Sequence, residues 1–108
     1  KRNVPDDPLD WYGDEGATLG DTYSFDPCLH LPRKHWNRVR GLEGCNWTEQ
    51  TFNESDLSWK LFPRALALAE AAWSDESVKD YGDFIRRARQ HEKDLRNRFR
   101  VNCGPVLP

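Results

Sequence analysis

Apolar side chains recur along this chain in distinct spacings, and each spacing predicts an element. Between about residues 80 and 99 they return every three or four positions: Phe84, Ala88, His91, Leu95 and Phe99 share one face, and Ile85 lies beside it. Arg86, Arg87, Arg89, Glu92, Lys93, Asp94, Arg96 and Arg98 cover the rest of the same stretch. This is the pattern of an amphipathic helix with a solvated charged coat, and His91 on its apolar side reads as a packing histidine. A second helical stripe, Leu57, Leu61, Leu68 and Ala72 with Ala65 between, predicts a helix over about residues 57–73. Ser55 or Asp56 can cap it, and Pro63 either starts the helix proper or bends its first turn. Its alanines at 65, 67, 69, 71 and 72 would let it lie close against a sheet. Ahead of it, residues 41–47 read as a short strand whose glycines allow close backbone approach.

The remaining stretches are less regular. Residues 1–17 combine prolines, glycines and acids in a composition that favours turns, so they read as an extended loop. Trp11 and Tyr12 sit in the middle of it, either pinned to a neighbouring surface or offered to a ligand. Residues 18–27 alternate Tyr23 and Phe25 before Asp26-Pro27, which fits a short helical turn or a short strand equally well. Residues 28–40 set Arg33, Lys34, His35, Arg38 and Arg40 around Trp36 and read as a solvated basic connector. The tail from Val101 onward is extended and packs back on the body.

Composition narrows the function classes. The 108 residues suffice for one modest core. Their 16 basic and 18 acidic side chains nearly cancel, so no global field steers the chain to nucleic acid or to an anionic membrane. No apolar run approaches the ~20 residues of a membrane span, and no basic leader with an apolar stretch behind it is seen. Cys28, Cys45 and Cys103 form neither a disulfide framework nor a paired metal motif; they read as packing or free thiols, with one bridge as the alternative. Asn46-Trp47-Thr48 and Asn53-Glu54-Ser55 match the N-glycosylation sequon, Asn53 being the more accessible of the two acceptors.

Three groups of residues could carry chemistry. Trp47 and Glu49 stand two apart at the end of the predicted strand, hence on one side of it, where the active sites of parallel α/β folds lie. A flat indole with a carboxylate beside it suits a pyranose, which has an apolar CH face and a rim of hydroxyls; a core Trp beside an exposed Glu is the plainer reading. Asp14 and Glu15 invite an acid–base role, but a glycine-flanked loop gives neither burial nor rigid charge pairing, so a solvated turn is expected there. His30 and His35 lack the spacing and partners of a zinc site, and neither a metal nor another cofactor is expected.

The run Gly41-Leu-Glu-Gly-Cys-Asn-Trp47-Thr-Glu49, followed by Leu61-Phe-Pro63-Arg64-Ala-Leu-Ala-Leu-Ala-Glu70-Ala-Ala-Trp73-Ser74, resembles the last βα unit of family 20 glycoside hydrolases, the β-N-acetylhexosaminidases. Those enzymes close their barrel with G-x-x-x-x-x-W-[ST]-E and a helix reading P-R-x-x-A-x-A-E-x-x-W-S. The resemblance implies a fragment of a TIM (β/α)8 barrel: residues 1–40 as the loop-rich segment between strands seven and eight, 41–74 as the last βα unit, and 75–108 as a C-terminal helix and tail. As an isolated chain it should be mostly helical, with one to three short strands. It also implies that Trp47 walls the pocket for a terminal N-acetylhexosamine, that Glu49 accepts hydrogen bonds from the sugar hydroxyls, and that Trp11 stacks beneath the neighbouring sugar. Arg64 and Glu70 would be structural.

The family's mechanism is substrate-assisted, with the sugar's own acetamido oxygen attacking the anomeric carbon. Its Asp-Glu pair stands on the fourth strand in an H-x-G-G-D-E context. Gly13-Asp14-Glu15 echoes only the end of that motif, from a segment ahead of the eighth strand, so no catalytic residue is expected in this chain. The family's Tyr-x-Asp would fall at or before Lys1-Arg2-Asn3, where the match fails. The expected partners are an N-acetylhexosamine-terminated oligosaccharide or glycoconjugate and the remainder of the barrel, as another chain or a missing segment; a secreted, periplasmic or lysosomal compartment is favoured over the cytoplasm. A non-catalytic helical module that binds carbohydrate or a partner protein is the alternative.

Overall fold

The computed structural model describes residues 18–48 and 51–106. Helix α1 spans Leu19–Ser24 and begins in a capping box. Thr18 Oγ1 accepts from the Asp21 N–H at 3.1 Å, and Asp21 Oδ2 accepts from the Thr18 N–H at 2.9 Å. Two orphan donors of the first turn are thereby satisfied, which lets so short a helix persist. Leu19 and Tyr23, four residues apart, are its buried face, and Phe25 falls just past its end and is exposed.

Helices α2 (Glu54–Leu61) and α3 (Arg64–Trp73) meet at Phe62-Pro63. Pro63 has no N–H to continue the ladder and its ring crowds the carbonyl four residues back, so one helix ends and another begins. The cap of α2 is Asn53, whose Oδ1 accepts from the Asp56 N–H at 2.9 Å, while Asp56 Oδ2 accepts from the Phe52 N–H at 3.1 Å. Helix α4 (Tyr81–Asn97) starts at Asp80, whose Oδ1 accepts from the Asp83 N–H at 3.0 Å.

The core is a cluster in which Leu19 and Tyr23 of α1, Ala67 of α3, Phe84, Ile85 and Ala88 of α4, and Val106 of the tail meet. Tyr23 is its hub, with ring centroids 4.8 Å from Phe84 and 5.2 Å from Tyr81. Ala67 is fully buried, so its small side chain sets how closely the backbones approach. The tail closes over the α2–α3 junction, where the Gly104 N–H donates to the Phe62 carbonyl at 2.9 Å and the Arg96 guanidinium donates to the Cys103 carbonyl. Gly104 is small for a reason: a Cβ there would lie 3.0 Å from the Trp59 carbonyl oxygen and 3.1 Å from that of Phe62.

Several expectations are corrected. Residues 41–47 form no strand, and no strand occurs among the described residues. A strand exists only as a hydrogen-bonded ladder, and the described residues hold no neighbouring strand to supply one. The single helix expected over about residues 57–73 is two helices. Its buried stripe is displaced as well, for Ala67 and Ala71 are buried whereas Leu61 is exposed and Leu57, Leu68 and Ala65 are half-buried. The break at Pro63 resets the helical phase, and Ala67 turns toward α1 and α4 rather than toward a sheet. On α4, His91 is exposed and Leu95 half-buried, and Phe99, exposed, lies two residues past the end of the helix. Helix α3 is ten residues long and α4 seventeen. The cap of α2 is Asn53 rather than Ser55 or Asp56. Within the basic connector, Arg33–Arg38 forms a two-turn 3₁₀ segment on the surface. Trp36 is fixed within it by its indole N–H donating to the Leu31 carbonyl at 3.0 Å and by the Arg33 guanidinium over its ring.

Candidate functional site

The segment that carries the candidate residues lies against α3. At Gly44 a Cβ would fall 2.5 Å from Leu68 Cδ2, so the backbone passes close to α3 here and a larger residue would require the leucine tip to shift. Beyond it a cavity of about 480 Å³ opens between α1, residues 43–46 and the α2–α3 pair. Phe25, Leu61, Ala65 and Leu68 form its apolar wall, and Asp21, Glu43, Lys60 and Arg64 stand among its lining. Lys60 Nζ donates to Thr51 Oγ1 at 3.1 Å, and Arg64 Nη1 donates to the Lys60 carbonyl at 3.2 Å. These contacts tie the far end of the loop to the α2–α3 junction. Cys45 is exposed, and its thiol donates to Glu43 Oε1 at 3.5 Å; that bond to a carboxylate raises its pKa.

Trp47 directly follows this cavity wall and is 69% exposed, its indole open to solvent. The Thr51 N–H donates to the Thr48 carbonyl at 3.1 Å. Glu49 and Trp11, the two other candidate sugar-binding residues, lie outside the described residues, as do Asp14 and Glu15. Among the described residues no three His, Cys, Asp or Glu side chains converge as a metal site would require. No helix among them is long and apolar enough to cross a membrane.

Glu70 has a different place. Its carboxylate receives both terminal nitrogens of Arg87, the Nη1–Oε2 distance being 2.8 Å, and Arg87 Nε donates to Asp83 Oδ2 at 2.7 Å. This fork joins α3 to α4. Hydrogen bonding from Arg87 holds the carboxyls of Glu70 and Asp83 below their ordinary range and raises the Arg87 guanidinium. The motif glutamate is thus occupied by a structural pairing. The sequence shows Glu70 as a hydrogen-bonding residue but not its partner, because the two are on different helices.

Comparison with known proteins joins this geometry to a family. The model of the glycosyl hydrolase family 20 catalytic domain matches residues 3–76. The chain belongs to that family, whose catalytic domain is a TIM barrel. It is 32% identical over 89 residues to a beta-hexosaminidase of Akkermansia muciniphila, covering 82% of this chain and 18% of that protein. With a beta-N-acetylhexosaminidase of Cellulomonas fimi the identity is 35% over 83 residues, 77% of this chain and 16% of the relative. A beta-hexosaminidase subunit A1 of Dictyostelium discoideum is 31% identical over 91 residues, 84% of this chain and 16% of that protein. The chain therefore spans less than a fifth of the length of these relatives.

Proposed function

We propose that this chain forms the last βα unit and C-terminal helix of the barrel of a β-N-acetylhexosaminidase, supplying one wall of the sugar pocket and none of the acid–base pair. The supporting observation is the Trp47-Thr48-Glu49 run, which lies inside the family match, together with the Trp47 ring being open to solvent. The substrate class is a glycan ending in β-linked N-acetylglucosamine or N-acetylgalactosamine at its non-reducing end.

The chemistry follows from the side chains. The Trp47 indole covers the apolar CH face of the terminal sugar, releasing water from both surfaces. The Glu49 carboxylate accepts hydrogen bonds from its outer hydroxyls, which fixes the ring's orientation. Trp11 meets the leaving-group sugar on the far side of the scissile bond. The substrate's own acetamido oxygen is the nucleophile in this family's scheme. An Asp orients that amide and a Glu protonates the departing oxygen, both supplied by the remainder of the barrel. Arg64 and Glu70 hold the helices that carry the wall.

The test is a chimaera in which this chain replaces the aligned segment of the Akkermansia muciniphila relative. The isolated chain should not cleave a chromogenic N-acetylglucosaminide, and the chimaera should. Turnover by the isolated chain would return an acid–base role to Asp14 and Glu15. In the chimaera, Trp47→Ala should lower kcat/KM on a single-sugar substrate by at least about tenfold, equivalent to ~1.4 kcal/mol of transition-state stabilisation. Trp11→Ala should do far less, because a single-sugar substrate leaves its subsite nearly empty; equal losses sink the assignment.

A further inference from the structure

Resting on the pocket reading above, we propose that Lys60 is a positioning residue for the sugar wall, holding the Trp47-Thr48-Glu49 run from helix α2 through the hydroxyl of Thr51. A chain of three hydrogen bonds carries the inference. At the start of α3, Arg64 Nη1 donates to the Lys60 carbonyl at 3.2 Å, which steadies the last turn of α2. From that turn Lys60 Nζ donates to Thr51 Oγ1 at 3.1 Å. The Thr51 N–H donates in turn to the Thr48 carbonyl at 3.1 Å, and Thr48 is the neighbour of Trp47. In sequence Glu49 stands between Thr48 and Thr51, so the bond to Lys60 is made just past the run assigned to the sugar.

The wall needs such a bond because little packing aims the Trp47 ring, which is 69% exposed. Its direction is set by the backbone that carries it, and ordering a loose segment at the moment of binding costs affinity. Lys60 suits the task. Its side chain is half-buried in the cavity lining, and an ammonium makes a stronger hydrogen bond than a neutral donor. The neighbouring contacts serve the helix instead: the Phe52 N–H donates to Asp56 Oδ2 at 3.1 Å, and Asn53 caps α2. Lys60 reaches past both to the loop ahead of them. A lysine that touched the sugar directly would act without Thr51, which separates the two roles.

The experiment pairs Lys60→Met, which keeps the aliphatic stem, with Thr51→Val, which keeps the shape and removes the hydroxyl. In the isolated chain, hydrogen exchange of the Thr51 amide, read by NMR, should speed up by at least about threefold in either variant. Thr51→Ser, which restores the hydroxyl, should keep it slow. In the chimaera each of the two variants should raise KM for a chromogenic N-acetylglucosaminide by about three- to tenfold, the scale of one hydrogen bond, with kcat nearly unchanged. The double variant should lose no more than either single one, since both cut the same bond. Lys93→Met on α4 should change nothing. If Lys60→Met fails to fold, Thr51→Val against Thr51→Ser makes the same test. An active chimaera whose KM ignores both variants, or responds to Lys60→Met alone, overturns the positioning role and leaves the pocket reading intact. An inactive chimaera counts against the pocket reading, and the exchange rates then decide for Lys60: faster exchange in both variants upholds its hold on the run, and unchanged exchange overturns it.

Discussion

Glu70 is the carboxylate that the fold engages most fully, and its environment predicts how acid acts on the molecule. Arg87 grips it through two hydrogen bonds and holds Asp83 through a third. Both carboxyls have folded-state pKa values lowered by those bonds. The unfolded chain therefore binds protons that the folded chain refuses, and stability falls as pH drops through the lowered values. Their contribution is complete above the ordinary carboxylate range of about 4. The thermal midpoint of the wild type should decline on acidification below about pH 4, with a shallower decline in Glu70→Gln. Arg87→Ala should cost about 1–2 kcal/mol at neutral pH in chemical denaturation, the lower part of the range reflecting its partial exposure. Trp47 could be singled out from sequence because an aromatic two places ahead of a carboxylate at the end of a glycine-bearing run is a local signal. The Glu70–Arg87 fork could not, since the partners are seventeen residues apart on separate helices.

At the level of elements, the four helices differ in how visibly the sequence announces them. Helix α4 is plain from its apolar spacing, and its observed limits fall within two residues of the expected ones. Helix α1 is too short for periodicity to decide, and its signal lies in Thr18 and Asp21, three apart, which form the capping box. Thr18→Ala should accordingly destabilise the chain by about 1 kcal/mol, read from the denaturation midpoint. The break between α2 and α3 was implicit in Pro63, but the phase of the helices on either side depends on what they pack against. Residues 41–47 show the same limit more sharply, because strand propensity has no outcome without a neighbouring strand. Phe99 was misplaced for a simpler reason: α4 ends at Asn97, two residues before it. Gly104 bears on the α2–α3 junction, and Gly104→Ala should cost about 1–3 kcal/mol by pressing a methyl against the Trp59 and Phe62 carbonyls.

For the whole molecule, family membership changes how its surface is understood. Trp47, Phe52 and Trp73 are 69%, 80% and 90% exposed, a heavy load of aromatic surface for so small a body. On the proposed reading this surface would meet the remainder of the barrel, which makes the chimaera, rather than the isolated chain, the right object for activity measurements. The core itself has an uneven wiring. Helices α3 and α4 are joined by a short connection, whereas α1 reaches its place against α3 only across roughly forty intervening residues, and the entropy of closing a loop rises with its length. Bringing Tyr23 against Phe84 and Tyr81 therefore closes a longer stretch of chain than joining α3 to α4 does. A ribosome emitting this chain would thus release α1 well before the surface that receives it exists.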